Sequence, residues 1–295
     1  MAFAVSPNSW KLFSFVYYNG WGTIVERGVI WLGRKVVDSC TLGWIRSTVF
    51  GCRDVLFPPA CLLCGGFDGL SEEPLCQGCS EALARDRHKP FCPTCALSVA
   101  PFEVHKGRCR SCRGRRPRIK GIVRVSAYDT ESGKVFRFYK YHGRHKLGQL
   151  LGRWMAESIS ASTWYDRIDV VASVPTHWTR RLRRSFHAAD ALAILIAKRL
   201  KLPYAALLKR IRGGPHQIGL KYEERRANVR DAFAMCRGAE LRAARVLLVD
   251  DVKTTGATVN ECAGVLKKAG AAEVYVAVVA LAGGDPDRSP VPRDA

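Results

Sequence analysis

Apolar residues are distributed differently in the two halves of this chain. From about residue 119 onward they gather in continuous runs separated by stretches of helical period. Ile122–Tyr128, Asp169–Val174, Val246–Val249 and Val274–Val279 read as strands, and the last two contain no polar interruption apart from one tyrosine. Lys146–Ile159, Ala188–Leu200 and Thr258–Ala269 read as helices; in the second, Leu192, Leu195, Ile196 and Arg199 recur on successive turns. Strands that are apolar on both faces, alternating with helices, belong to a parallel sheet covered on both sides. The expected class for residues 119–283 is therefore α/β, and the Pro- and charge-rich residues 284–295 read as a tail.

The first half lacks this pattern. Residues 1–54 are rich in aromatics and carry no recognisable chemistry. Within them Val25, Val29, Leu32 and Val36 repeat at helical spacing, as expected of an amphipathic helix packed on the body of the protein or lying in a membrane interface. In residues 55–118 short polar segments, unable to build a useful core, separate four Cys-x-x-Cys pairs: Cys61/Cys64, Cys76/Cys79, Cys92/Cys95 and Cys109/Cys112. This spacing is that of metal knuckles. The gap between the first and second pair nearly equals that between the third and fourth, so the segment reads as an internal repeat with four thiolates per half. Two closed, structural zinc sites follow, with first-to-second and third-to-fourth pairing expected from the repeat and interleaved pairing as the alternative. Cys40, Cys52, Cys236 and Cys262 have no partner at this spacing and read as small apolar residues.

Composition adds a partner class. The 47 Lys and Arg against 26 Asp and Glu leave +21, which favours polyanions. Between Lys106 and Arg124 nine residues are basic and none is acidic. Such a stretch would track a phosphate backbone, with Phe91 and Phe102 as stacking candidates, or else it is a solvated connector. No secretion signal and no run of about 18 apolar residues is found, so membrane spanning lacks support and the thiols suit a reducing cytoplasm.

The densest chemistry follows the run Val246–Val249. Two carboxylates, Asp250 and Asp251, precede Val252-Lys253-Thr254-Thr255-Gly256-Ala257-Thr258, which opens a helix. Gly256 and Ala257 let backbone approach an anion, the amides of residues 254–258 point at it, the threonine hydroxyls add donors, and Lys253 offers a charge or points to solvent. The carboxylates suit a ligand with hydroxyls beside its phosphate, as in a ribose 5-phosphate.

This run resembles the signature loop for phosphoribosyl pyrophosphate (PRPP) in type I phosphoribosyltransferases. With the cysteine pairs ahead of it, the chain over residues 55–282 resembles the ComF-type competence proteins: a double zinc ribbon, then a phosphoribosyltransferase-like domain with helices on both faces of its sheet. Matching segments include Phe57-Pro58-Pro59-x-Cys61, Lys140-Tyr141-x-Gly143, Val174-Pro175-x-His177 and Arg225-Arg226-x-Asn228-Val229. Arg184-Ser185-Phe186-His187-Ala188 departs from the family's Arg-Gly-Phe-Asn-Gln.

The resemblance implies PRPP bound with Mg²⁺. Asp250 and Asp251 would hold the ribose hydroxyls and residues 254–258 the 5-phosphate. Pro175, Thr176, His177, Arg180 and Arg181 would lie on the pyrophosphate side, with Lys140, Arg212 and Gln217 closing over the site. It also implies a role in natural transformation, where single-stranded DNA and a competence helicase or other DNA-uptake proteins are the expected partners. No residue stands out as an acid or base, so regulation by PRPP and a metabolic phosphoribosyltransferase both stay open.

Overall fold

The computed structural model describes residues 60–67, 74–114, 117–127, 135–136, 139, 145–175, 187–212, 227 and 229–282. These residues all fall in one compact unit that runs Phe57–Ala295. The amphipathic stretch at 24–37, the tail, and the candidate residues Lys140, Thr176, His177, Arg180, Arg181 and Gln217 lie outside the described residues.

Among the described residues four strands form a parallel sheet: β1 (Gly121–Ala127), β2 (Val170–Ser173), β5 (Arg245–Lys253) and β6 (Glu273–Leu281), in the order β1-β6-β5-β2. Its faces follow from the period of two along each strand. Leu247 and Val249 of β5, with Tyr275, Ala277 and Val279 of β6, point into a core shared with helices α2 (His145–Ser160) and α3 (Ala188–Leu200). Val246, Leu248, Val274, Val276 and Val278 point the other way, onto helix α4 (Ala257–Lys268) and the hairpin of β3 (Leu208–Arg210) and β4 (Phe233–Met235). Both faces are thus covered, which is why these strands carry no polar alternation. In α3 the inward stripe is Leu192, Ala193, Ile196, Ala197 and Leu200, while Arg199 is exposed. Helix α2 crosses α3 closely because residue 152 is glycine; a Cβ there would sit 3.2 Å from that of Leu195.

The open ends of β2 and β5 are tied together at the edge opposite the site. Arg245 donates from Nε and Nη2 to Asp169 at 3.0 and 2.9 Å, and from its backbone N at 2.8 Å. These bonds hold the Asp169 carboxyl below its ordinary range. Because the unfolded value is about 3.9, the pair stabilises the fold fully above that pH, and the contribution is lost as pH falls through the lower, folded value. Asp169→Asn should therefore lower the urea midpoint at pH 7 and have almost no effect below the folded value. The effect is modest, since both side chains are more than a third exposed. An equal loss at both pH values would contradict this.

The cysteine-rich segment does not stand apart from the sheet. Its helix α1 (Gln77–Arg87) buries Leu83 completely, and Leu83, Leu75 and Cys61 join the core that contains β1 and α2. Each buried leucine contributes about 1.5–3 kcal/mol. Arg87 lies 4.8 Å over the Trp154 ring and reaches Glu157 at 2.6 Å, both on α2. On the other half of the segment, Pro93 accepts from the Ile122 amide of β1 at 2.9 Å. A segment too polar to build its own core is completed by its neighbour's.

Candidate functional site

All four parallel strands end on the same edge, and the phosphate-loop candidates lie there, at the end of β5 and the start of α4. The Val174 amide donates to the Val249 carbonyl at 2.8 Å, so Pro175 leaves β2 beside Asp250 and Asp251. Open α/β sheets bind ligands in this crevice. Gly256 caps α4 in the left-handed conformation, at φ 78°. The first amides of α4 have no acceptor within the helix, and they face the loop end with the positive pole of the dipole. Thr255 turns its hydroxyl back to accept from the Ala257 amide at 3.2 Å, which fixes the entry to the helix.

Lys253 does not point to solvent. It is 9% exposed, and a Cβ on Gly256 would meet its Cε at 2.9 Å and its Nζ at 3.4 Å. The lysine stem therefore fills the space beneath the loop that the missing glycine side chain leaves. Asn260, in the first turn of α4, lies on the same side, 3.9 Å from that Cβ position.

The adjacent carboxylates divide between the two faces. Continuing the alternation of β5, Asp250 lies on the α4 side and Asp251 on the α2 side. Burial and then the Asp250 charge push the Cys262 thiol of α4 well up. Tyr139 is raised by burial and then by Asp251. Asp250 is 8% exposed and accepts from the Asp251 amide at 2.8 Å; Asp251 accepts from Val252 at 2.7 Å. These local bonds fix both carboxylates at the strand end. Tyr139, buried against Gly148, went unread in the sequence because only tertiary proximity to Asp251 distinguishes it. Ser173, at the end of β2, was also missed; it donates to Asp190 of α3 at 2.5 Å and lies 3.2 Å from the Tyr204 hydroxyl. Arg212 is exposed just past β3, where its carbonyl accepts from Arg210.

The eight paired cysteines form two groups, Cys61/Cys64/Cys76/Cys79 and Cys92/Cys95/Cys109/Cys112, with all Sγ atoms of a group within 4.8 Å. This is first-to-second and third-to-fourth pairing, and the interleaved alternative does not occur. A zinc tetrahedron with bonds of about 2.3 Å places sulfurs about 3.8 Å apart. The cross-knuckle pairs Cys64–Cys76, Cys92–Cys112 and Cys95–Cys109 stand at 3.8, 4.0 and 3.6 Å. The donor set and spacing fit zinc, and four thiolates leave no open position. The halves repeat in detail. Gly65 N donates to Cys61 O and Cys61 N to Gly66 O; Ala96 N donates to Cys92 O and Cys92 N to Leu97 O. Gly65 and Ala96 both take positive φ, at 76° and 66°. Although burial opposes it, backbone donors from Cys64, Cys76 and Leu63 bring the Cys61 thiol down to about 6. Cys112 is held far up by hydrogen bonding to Cys92 and Cys95 and by burial. Thiols this close need a cation before all four ionise.

The basic stretch is not uniformly a surface. Arg124 is buried, donating to Ser98 at 2.7 Å and lying 5.3 Å over the Phe91 ring. Burial brings its guanidinium down to about 10, against the pull of Asp86. Phe91 is thereby occupied and is not the exposed stacking residue the sequence suggested. Arg118 crosses Gly264 of α4 and reaches Glu261 at 3.4 Å, and Lys120 reaches Glu273 at 3.7 Å. Lys106, Arg108, Arg110, Arg113 and Phe102 are exposed.

Comparisons with known proteins agree with this layout. A double zinc ribbon domain family matches residues 52–113, and a phosphoribosyl transferase domain family matches residues 182–293. Competence protein F of Haemophilus influenzae is 26% identical over 221 residues, covering 73% of this chain and 94% of that protein. The DNA utilization protein YhgH of Salmonella typhimurium is 29% identical over 223 residues, covering 74% of this chain and 95% of that protein. Among the described residues no helix is long and apolar enough to cross a membrane. With two four-cysteine groups preceding a parallel sheet whose strands β5 and β6 fall in a phosphoribosyl transferase domain match, and relatives matched along almost their whole length, the chain is similar in layout and sequence to the ComF type of protein.

Proposed function

We propose that this chain is a PRPP-binding protein of DNA uptake, acting in the cytoplasm, and that it handles single-stranded DNA through its basic and zinc-ribbon surfaces. The observation that carries the PRPP reading is the loop after β5, where Gly256 at φ 78° opens α4 directly beyond two ordered carboxylates. A helix N-terminus with small residues suits a phosphate, and carboxylates beside it suit vicinal hydroxyls; a ribose 5-phosphate carries both. Asp250 and Asp251 would hold the ribose, and Thr254 to Thr258 the 5-phosphate, with Lys253 beneath the loop as a nearby cation. Pyrophosphate would lie toward Pro175 and the Thr176, His177, Arg180 and Arg181 segment, covered by Lys140, Arg212 and Gln217.

Mg²⁺ takes oxygen ligands, and the two carboxylates with the ligand's own phosphates supply them, so the donor chemistry fits. The ion would neutralise the pyrophosphate. The DNA reading rests on the relatives named for competence and DNA utilization and on the exposed cations of the second ribbon.

Calorimetric titration with PRPP and Mg²⁺ should give a stoichiometry near one per chain. Asp250→Asn and Asp251→Asn should each weaken binding about tenfold or more, as expected when a charged acceptor to bound hydroxyls is removed. Unaltered affinity in both variants would sink the assignment. A metabolic phosphoribosyltransferase is the second reading, favoured by the same loop; it requires pyrophosphate release from PRPP with some nucleobase-like acceptor. PRPP binding without turnover across a panel of acceptors decides for the regulatory role.

A further inference from the structure

We infer that the two ribbons divide their labour, and that the outer part of the second, from Phe102 to Arg113, is a rigid head on which a base of single-stranded nucleic acid stacks. This rests on the DNA-handling reading above and specifies where it takes place. The first ribbon is spent on structure. Its Leu75 and Leu83 lie in the common core, and its helix α1 is clamped to α2 through Arg87.

The second ribbon turns its outer half to solvent. Phe102 is 88% exposed, the most exposed large apolar side chain among the described residues. A short 3-10 turn, Pro101–Glu103, holds it there, and Glu103 directs its carboxylate back to the Ala100 amide at 2.8 Å. The acid nearest the ring in sequence is thereby engaged with backbone.

Next comes a tight hairpin. His105 and Arg108 exchange backbone bonds at 3.0 and 3.1 Å, and the two residues between them, Lys106 and Gly107, take positive φ of 49° and 74°. This conformation suits glycine or asparagine, so a lysine at the apex sits in strained backbone and presents its charge at the tip of the turn. The hairpin is not a loose tip, because Thr94 of the Cys92/Cys95 knuckle donates to the Gly107 carbonyl at 2.8 Å. The Cys92/Cys95 knuckle thus orients the apex. Arg108, Arg110 and Arg113 complete an exposed basic group around the Cys109/Cys112 knuckle.

An exposed aromatic four residues in sequence from an exposed basic hairpin combines the two elements of sequence-tolerant single-strand binding, base stacking and backbone neutralisation. A duplex keeps its bases stacked on each other and offers only the second. Phe67 of the first ribbon, 61% exposed, provides the comparison, since its nearest charged neighbours in sequence are Asp68, Glu72 and Glu73.

The test is fluorescence anisotropy on the full chain with zinc bound, using a labelled oligothymidylate and a mixed-sequence duplex over a range of salt. Phe102→Ala should weaken oligothymidylate binding roughly tenfold without altering the salt slope, and affect the duplex little. Lys106→Gly relaxes the backbone while removing the charge, and should lower the slope by about one. Phe67→Ala should bind as the parent does. A Phe102→Ala protein that binds like the parent, or that loses duplex and single strand equally, overturns the stacking role, as does an equal loss in Phe67→Ala. Absence of oligothymidylate binding by the unaltered protein overturns the DNA reading itself, and this inference with it.

Discussion

Cys112→Ser is expected to lower the zinc content from two per chain, the number the two four-cysteine groups imply, to one, and to lower the melting temperature by on the order of 10 °C. Structural zinc supplies about 10–16 kcal/mol to small ribbons, comparable to the whole stability of a typical domain, so the second ribbon cannot keep its shape without it. The loss does not stop at the ribbon. Ser98 and Phe91, which hold Arg124, and Pro93, which accepts from Ile122, all belong to that ribbon. Releasing them leaves a buried guanidinium on β1 without its partners, which costs about 1–3 kcal/mol for each charged hydrogen bond lost. A sheet of this size responds to each kcal/mol with about 2–4 °C, hence the size of the expected drop. Metal analysis alongside calorimetry checks both halves. If one zinc is lost and the sheet melts unchanged, the ribbon folds independently and the described packing carries no stability.

Gly256→Ala should reduce PRPP affinity about a hundredfold while leaving the protein folded. An alanine at φ 78° costs about 1–2 kcal/mol. Its Cβ would also stand 2.9 Å from Lys253 Cε, so the lysine must move from beneath the loop. Strain alone lowers stability by that small amount, whereas reshaping the amides proposed to meet the phosphate, together with displacing a cation, would act on binding. Affinity and melting temperature should therefore separate: a large change in the first, a few degrees in the second. Parent-like PRPP affinity would mean that the anion does not sit at this loop.

The strands were legible because burial on both faces leaves continuous apolar runs, and β5 and β6 could be read from Val246–Val249 and Val274–Val279 alone. Their extension through Asp250 to Lys253 was not, since the last residues carry the site's chemistry in place of core side chains. Helix α1 escaped because its sequence is largely polar, and of its residues only Leu83 and Asp86 are buried. Strands β3 and β4 are three residues each, too short for any period. The knuckle pairing followed from the repeat. What charge counting could not distinguish was which cations face solvent: Arg124 looks like its neighbours in sequence, and only the ring of Phe91 and the hydroxyl of Ser98 reveal it as interior.

The contact between Pro93 and Ile122 has a consequence for the molecule in a crowded solution. Among the described residues, in the order β1-β6-β5-β2, β1 is an edge, and an uncovered edge strand of Val and Ile is a template for pairing with another chain. A proline carbonyl from the Cys92/Cys95 knuckle satisfies part of that edge while presenting no strand of its own. The second ribbon is therefore expected to limit self-association along β1, and a chain trimmed to the α/β portion should scatter more light with rising concentration than the full chain does.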